Sequence, residues 1–182
     1  MGTPRSHPPT TLIAAIFSRY PAALDWVVDR MAQHWSPVEL VSDRFQFTET
    51  AYYQRLMGEP LQKQLVALAG DFDPARLADT KLTSNAWEDE YAQSQAFPEA
   101  RPLNIDPGYI TPMKVVLAST KDRAHRIYLR DGIYAEECLY YHQHSWQARP
   151  WTYPDYLRAD YHEFFERVRR QLHQRLVGKH PG

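Results

Sequence analysis

Four side chains that can carry positive charge or donate hydrogen bonds lie within thirteen residues of one another: Lys114, Lys121, His125 and Arg126. A fork-shaped guanidinium beside point-charge ammonium groups is a combination that proteins use to bind phosphate or carboxylate. We therefore predict a pocket for a small anionic ligand, phosphorylated or nucleotide-like. If the protein is an enzyme, Asp122 or His125 is the candidate acid or base.

Acidic and aromatic side chains lie close to these cations in the sequence. The acids can act as a general base or hold a hard cation that bridges to phosphate, and they are Asp106, Asp122 and Glu136. The aromatic rings can stack on a base or a sugar, and they are Tyr109, Tyr128, Tyr134, Trp151 and Tyr153. Structural roles are the alternative, since Arg126 and Glu136 can form a cross-strand ion pair and Asp106 can fix a turn. The sequence shows no complete set of metal ligands and names no cofactor.

The elements that must position these side chains follow from the hydrophobic pattern. In chain order the pattern predicts a buried strand at 10–18, a helix at 21–35, a half-buried strand at 38–48, a short turn at 50–58, a strand at 61–71, a helix at 73–93 and a strand at 101–109. This alternation predicts an α+β fold with a ferredoxin-like (βαββαβ) sheet.

The helix at 73–93 contains a polar face. It begins at Asp73-Pro74, an N-cap followed by proline in the first turn, and we expect it to bury Leu77, Ala78, Leu82 and Ala86. Three polar side chains at spacings of four and three residues share another face, namely Lys81, Asn85 and Glu88. That face is either a solvated stripe or part of the predicted site.

Two proline signals follow this helix. Asp106-Pro107-Gly108 predicts a turn. Thr111-Pro112 repeats the N-cap signal and favours a short helix at 113–120 that presents Lys114 near its start. The β-branched pair Val115-Val116 favours a strand instead.

A β-hairpin is predicted over 126–141. A three-residue turn at 130–132, with Gly132 in the left-handed conformation, gives one apolar face on which Leu129 meets Ile133 and Ile127 meets Ala135. The opposite face then carries Arg126 across from Glu136 and Tyr128 across from Tyr134. After the hairpin, the proline-broken aromatic segment 149–156 predicts a lid over the site, and an amphipathic helix is expected at 158–176.

Composition limits the classes of protein that are plausible. The formal charge of −1 gives no overall attraction to nucleic acid or to anionic membrane. A single cysteine, Cys138, fits a reducing compartment, so we expect a cytoplasmic protein, and no apolar run approaches the roughly 20 residues of a membrane span. We expect one domain at 10–177, between a disordered lead at 1–9 and a tail at 178–182. The alternative function is an RNA-binding or ligand-sensing module that uses an aromatic sheet face.

Several longer motifs stand in a fixed order along the chain. They are Phe45-Gln-Phe-Thr48, Tyr52-Tyr53, Met57-Gly58, Lys81-x-Thr-Ser-Asn85-x-x-Glu88, Asn104-Ile-Asp-Pro-Gly-Tyr109, Lys114, Val116-Leu-Ala-Ser-Thr-Lys-Asp122, His125-Arg-Ile-Tyr-Leu129, Gly132-Ile-Tyr-Ala-Glu136 and Trp151-Thr-Tyr-Pro-Asp-Tyr156. In this order they resemble the prokaryotic family known as domain of unknown function 4416. The resemblance runs from about Leu12 to Phe165.

This resemblance implies no established activity, cofactor or partner. Some members of the family carry the label of a GTP-binding protein. The present sequence does not support that label, because it has no Gly-x-x-x-x-Gly-Lys-Ser/Thr phosphate loop. Its Thr120-Lys121-Asp122 run also lacks the spacer residue of a guanine-reading motif.

Overall fold

The computed structural model describes residues 2–3, 6–48 and 56–178. Its strands are β1 (Thr11–Ser18), β2 (Val38–Val41), β3 (Phe45–Gln46), β4 (Gln62–Leu68), β5 (Asn104–Ile110), β6 (Lys114–Ser119), β7 (Ile127–Arg130), β8 (Ile133–His142) and β9 (Ser145–Ala148). Its long helices are α1 (Pro21–His34), α2 (Leu77–Gln93) and α3 (Ala159–Gly178), with short 3₁₀ turns at Pro74–Arg76 and Pro154–Leu157.

The described strands form one antiparallel sheet of nine strands in the order β2-β4-β1-β5-β6-β8-β7. β3 pairs with β4 beside β2, and β9 pairs with β8 beside β7. The α+β class is therefore confirmed. The sheet is larger than the four strands of a ferredoxin-like core.

β1 lies at the centre of the sheet, as its apolar sequence predicts. All eight of its residues are buried, because helices cover both faces. On one face Ile13 and Ala15 pack against α3. On the other face Leu12 and Ile16 pack against α1 and α2. The sheet is thus the middle layer of three at its central strands.

The single strand predicted at 38–48 is wrong, since the chain forms β2 and β3 there. Ser42 lies between them, and its backbone N–H donates to the carbonyl oxygen of Leu65 (2.9 Å). Its hydroxyl accepts the N–H of Leu65 (2.9 Å). Ser42 thus binds both backbone groups of Leu65, one of them through its side chain, and this interrupts the regular backbone pairing with β4. The strand predicted at 61–71 is confirmed as β4.

The turn predicted at Asp106-Pro107-Gly108 is wrong, because these residues lie inside β5. Gly108 is required there by a close approach of two strands, since a Cβ atom on it would lie 2.1 Å from the carbonyl oxygen of Val116. Proline has no N–H to donate to a ladder, and the pairing of β5 with β6 starts only at Gly108. The motif marks the point where β5 and β6 separate.

The short helix predicted at 113–120 is also wrong, and β6 takes its place. The Thr111 side chain does act as a cap, accepting the N–H groups of Met113 (3.0 Å) and Lys114 (3.1 Å). Those bonds hold the tight connection from β5 to β6. Val115 and Val116 then continue as a strand, in agreement with their β-branched side chains.

The hairpin is confirmed, with a different turn. Asp131 and Gly132 both have positive φ (54° and 75°), so the turn has two residues, and a bulge at Leu129 restores the predicted pairing of Ile127 with Ala135 and Tyr128 with Tyr134. The apolar face of the hairpin is not covered at Ile127, which remains 72% exposed.

The rest of the chain bears on three further predictions. The helices expected at 21–35, 73–93 and 158–176 are confirmed as α1, α2 with its preceding 3₁₀ turn, and α3. The turn predicted at 50–58 lies mostly outside the described residues, as do Tyr52 and Tyr53. Among the helices that the structure describes, none has the length and apolar character needed to cross a membrane.

Candidate functional site

A charged cavity of about 120 Å³ lies at one end of the sheet. β1, β4, β5, β6 and β8, together with α2 and the segment before α3, supply its walls. The lining side chains are Phe17, Phe47, Lys63, Lys81, Asn85, Arg101, Asn104, Asp106, Leu117, Ala118, Ser119, Thr120, Lys121, Arg126, Glu136, Tyr153, Pro154, Asp155 and Tyr156.

Antiparallel pairing explains why these residues meet. β1 and β6 end at this side of the sheet, whereas β4, β5 and β8 begin there. The ladder between β5 and β6 extends no further than Gly108 and Leu117, which leaves a gap between Asp106 and Ser119. Lys81 and Asn85 of α2 reach the cavity from the other side of that gap.

Lys63 and Asp155 form a buried ion pair at the cavity wall. Their side chains are 6% and 4% exposed. The ammonium group also lies 4.8–5.7 Å from the ring centroids of four aromatic residues, Phe17, Phe47, Tyr156 and Tyr161. Such rings attract a cation through their electron-rich faces. Neither Lys63 nor Asp155 was among the predicted site residues.

Lys81 joins α2 to the start of β5. Its ammonium group donates to the carbonyl oxygen of Ile105 (2.6 Å) and to Asp106 Oδ1 (3.3 Å), and it lies 3.9 Å from Glu88 Oε1. The polar face of α2 is therefore buried, and Leu82 and Ala86 are exposed instead, so their predicted burial is wrong. The polar face can be buried because acceptors inside the protein surround the Lys81 ammonium group, which would otherwise require water.

Glu88 lies behind the cavity wall and holds Arg101. Its Oε2 accepts both Nε (3.0 Å) and Nη2 (2.6 Å) of Arg101, and its Oε1 accepts the N–H of Ile105 (2.7 Å). Burial raises the pKa of Glu88, although Lys81 and Arg101 oppose the shift. Arg101 keeps 34% of its side chain exposed and lines the cavity.

Asp106 is the most accessible carboxylate of the cavity, with 28% of its side chain exposed. Its Oδ2 accepts the amide of Asn104 (2.8 Å), while Oδ1 faces Lys81. Burial acts to raise the pKa of Asp106, but the attraction of Lys81, Lys63 and Arg101 and the bond from Asn104 outweigh it, so the pKa is lowered. Asp106 is therefore ionised at neutral pH.

The lowered pKa of Asp106 predicts how stability depends on pH. The ionised carboxylate stabilises the folded state above the ordinary pKa of an aspartate in an unfolded chain, and this contribution is lost as the pH falls through the lower pKa of the folded state. Asp106→Asn should therefore lower the free energy of unfolding at pH 7, and its deficit should shrink in acid. Urea unfolding of both proteins at pH 7 and pH 3 measures this, and an equal deficit at both pH values would contradict it.

Arg126 organises the opposite wall of the cavity. It donates to Glu136 Oε2 (2.6 Å), to the Ser119 hydroxyl (2.8 Å), to the carbonyl oxygen of Lys121 (2.8 Å) and to the Tyr153 hydroxyl (2.7 Å). A guanidinium has five N–H donors, so the protein itself occupies most of them. Arg126 therefore holds the residues of this wall in place and adds positive charge to the cavity. It has few N–H donors left to bind a ligand directly.

His125 lies beside this wall, behind Glu136. Its Nε2 is 3.3 Å from Glu136 Oε2, and its ring stacks on Trp151 with centroids 5.1 Å apart and planes 9° apart. Neither His125 nor Trp151 is among the residues that line the cavity. Asp122, the other candidate acid or base, is exposed in the turn after β6 and is likewise outside the cavity lining.

The structure brings together about half of the predicted site residues. Those that line the cavity are Lys81, Asn85, Asp106, Lys121, Arg126, Glu136 and Tyr153, with Glu88 directly behind them. Those outside the lining are Tyr109, Lys114, Asp122, His125, Tyr128, Tyr134 and Trp151. Lys114 is distant because it begins β6, whereas the cavity lies where β6 ends.

The signal for the missed residues was present in the alternation of β4. Lys63, Leu65 and Ala67 are two residues apart and share one face of the strand. Leu65 and Ala67 are core residues on the α3 side of the sheet, so the same spacing turns Lys63 inward. Asp155 had no comparable local signal, because only the fold brings the segment before α3 to β4.

The cavity has an excess of positive charge. Among the described residues, five cationic side chains line it, Lys63, Lys81, Arg101, Lys121 and Arg126, against three carboxylates, Asp106, Glu136 and Asp155. The whole chain carries a net charge of −1, so this excess is local. No group of three or more His, Cys, Asp or Glu side chains is placed to hold a metal ion in the part of the chain that the structure describes.

These features define an α+β protein with a charged cavity at one end of an antiparallel sheet. The family model described as Domain of unknown function (DUF4416) matches residues 8–172, and the chain belongs to that family. The resemblance seen in the sequence motifs is therefore confirmed. No curated protein and no solved structure matches the chain significantly.

Proposed function

We propose that the protein binds a small molecule with an anionic group, phosphate or carboxylate, in the cavity at the end of the sheet. The observation that carries the proposal is the local excess of cations: five cationic side chains against three carboxylates line one concave space. Low-dielectric walls concentrate the field of such charges and raise the local concentration of an anion. Most of the cations are paired, so they act partly through this field.

Arg101 is the side chain best placed to contact the anion directly. Glu88 fixes its guanidinium from behind, 34% of the side chain is exposed, and the residue lines the cavity. A guanidinium held in this way is pre-organised, so little side-chain entropy is lost when a ligand binds. Lys121, exposed at the rim, adds a second cation.

The size of the cavity favours a small ligand. A volume of about 120 Å³ has room for several water molecules or for one small organic anion. A nucleotide would place only one end inside. We therefore favour a sugar phosphate, a small phosphate ester or a small acid over a whole nucleotide.

An RNA-binding role has less support from the fold. It requires an open sheet face with upward aromatic side chains. Helices cover the central strands on both faces, and Tyr128 and Tyr134 contact each other edge to face at the hairpin, outside the cavity.

We further propose that β1, α1, β2, β4, α2 and β5 form a ferredoxin-like core to which the other strands are added. The order β2-β4-β1-β5, with neighbours antiparallel, supports this proposal. A split βαβ arrangement produces that strand order. In this description the cavity lies where the core meets the added strands β6 and β8.

A thermal-shift screen with inorganic phosphate, small phosphate esters and small carboxylates tests the binding proposal. A ligand at a hundred times its dissociation constant stabilises the folded protein by about 2.7 kcal/mol. Arg101→Ala should weaken binding about ten- to hundredfold, because it removes a hydrogen bond between charged groups worth about 1.5–3 kcal/mol.

Arg130→Ala is the matched control for that experiment. Arg130 is also a partly exposed arginine paired with a carboxylate, Asp79, but it lies at the hairpin turn, away from the cavity. Binding to Arg130→Ala should equal binding to the unmodified protein. Absence of any shift across the screen would overturn the proposal, and so would equal weakening by both substitutions.

A further inference from the structure

We propose that the ligand carries hydroxyl groups beside its anionic group, and that Asp106 and Asn85 bind those hydroxyl groups. The inference rests on the proposed function and narrows it to hydroxylated anions, such as small polyol phosphates and hydroxy acids. It depends on the wall of the cavity formed by β5 and α2, opposite the wall that Arg126 holds.

Asp106 has hydrogen-bonding capacity that the protein does not use. A carboxylate offers about four acceptor positions. The two bonds that Asp106 accepts, from Lys81 at 3.3 Å and from Asn104 at 2.8 Å, leave part of that capacity facing the cavity. A carboxylate repels the anionic group of a ligand, so the group that it binds must donate a hydrogen bond.

Asn85 provides a second, independent observation on the same wall. Its side chain is half-buried and lines the cavity. Within the part of the chain that the structure describes, the side-chain amide of Asn85 forms no hydrogen bond with another side chain or with the backbone. An amide can both donate to and accept from a hydroxyl group, so Asn85 and Asp106 together match a group that is donor and acceptor at once.

The other two carboxylates of the cavity differ from Asp106. Glu136 is 2% exposed and binds Arg126 and His125, and Asp155 is buried against Lys63. Asp106 is thus the acid that a ligand can reach. A hydroxyl group suits this position better than an ammonium group does, because Lys81 lies 3.3 Å from Asp106 and would repel a second cation.

The test compares glycerol 3-phosphate with propyl phosphate by isothermal titration calorimetry. The two esters share a phosphate and a three-carbon chain, and they differ by two hydroxyl groups. A site built to bind hydroxyl groups rejects the analogue that lacks them, since its polar groups are left unpaired. We expect glycerol 3-phosphate to bind at least about tenfold more tightly, the equivalent of one net hydrogen bond to a charged group.

Two variants locate the preference. Asp106→Asn and Asn85→Ala should each reduce the preference for glycerol 3-phosphate over propyl phosphate. Asn85→Ala leaves the charge of the cavity unchanged, whereas Asp106→Asn removes a negative charge and should strengthen the binding of both esters. Asn85→Ala removes an unpartnered amide, so this variant keeps the test decisive if Asp106→Asn folds poorly.

Equal affinity of the two esters would overturn the inference and leave the proposed function standing. A preference that neither variant reduces would also overturn it. If neither ester binds, the inference fails, and the Arg101-dependent response to inorganic phosphate and small carboxylates then decides whether the proposed function fails with it.

Discussion

Lys63→Met should lower the free energy of unfolding by about 3–5 kcal/mol, the cost of leaving one member of a buried ion pair without its partner. Asp155 would lose its partner in a place where 4% of its side chain meets solvent. Methionine preserves most of the length and flexibility of the lysine stem, so packing among the aromatic rings is largely retained. Urea-induced unfolding measures the change.

Two further variants distinguish the charge effect from a packing defect. Lys63→Met combined with Asp155→Leu replaces the pair by apolar groups and should recover most of the loss. Asp25→Ala breaks an exposed ion pair with Arg44 and should cost less than about 1 kcal/mol. If Lys63→Met costs no more than Asp25→Ala, the buried pair does not hold this wall.

Gly108→Ala should destabilise the protein by about 3 kcal/mol or more. The new methyl group would lie 2.1 Å from the carbonyl oxygen of Val116 and 2.6 Å from a methyl carbon of Leu117. Relief requires the backbones of β5 and β6 to move apart, and overpacking of this kind costs 1–3 kcal/mol even where side chains can adjust. Thermal or urea unfolding measures the loss.

Gly132→Ala is the matched control for this second prediction. Gly132 lies in open space at the hairpin turn, but its φ of +75° belongs to the left-handed region. The penalty there is conformational and should be about 1–2 kcal/mol. A smaller effect at Gly108 than at Gly132 would show that β5 and β6 do not approach as closely as described.

The elements with a strong local pattern were predictable from the sequence. β1 is apolar on both faces and α1 has regular helical spacing, so both form where the pattern indicates. The Asp106-Pro107-Gly108 motif was misleading, because residues that form turns can also lie inside a strand. Gly108 allows β5 to approach β6 closely, and Pro107 lies just before the pairing of these two strands begins. The pairing partner decides between these outcomes, and a single sequence does not name it.

The candidate site was predictable only where its residues are close in sequence. Arg126 and Glu136 meet across the hairpin, and the pairing at that end of the hairpin followed from the side-chain pattern. Near the turn the predicted pair of Leu129 with Ile133 was wrong, because Ile133 pairs with Arg130. Lys114 was placed with them because it is near in sequence, but antiparallel strands carry it to the far end of the sheet. Lys63 and Asp155 are 92 residues apart, and only the folded chain brings them together.

The central claim, that the cavity binds a small anionic molecule, is tested most directly by an NMR titration of ¹⁵N-labelled protein with glycerol 3-phosphate and with inorganic phosphate. We predict saturable chemical-shift changes at the backbone amides of the cavity wall, Asn104, Asp106, Ser119 and Thr120. The amides of Arg130 and Asp131 at the distant hairpin turn should not change. Absence of saturable changes at the cavity, or changes confined to other surfaces, would contradict the claim.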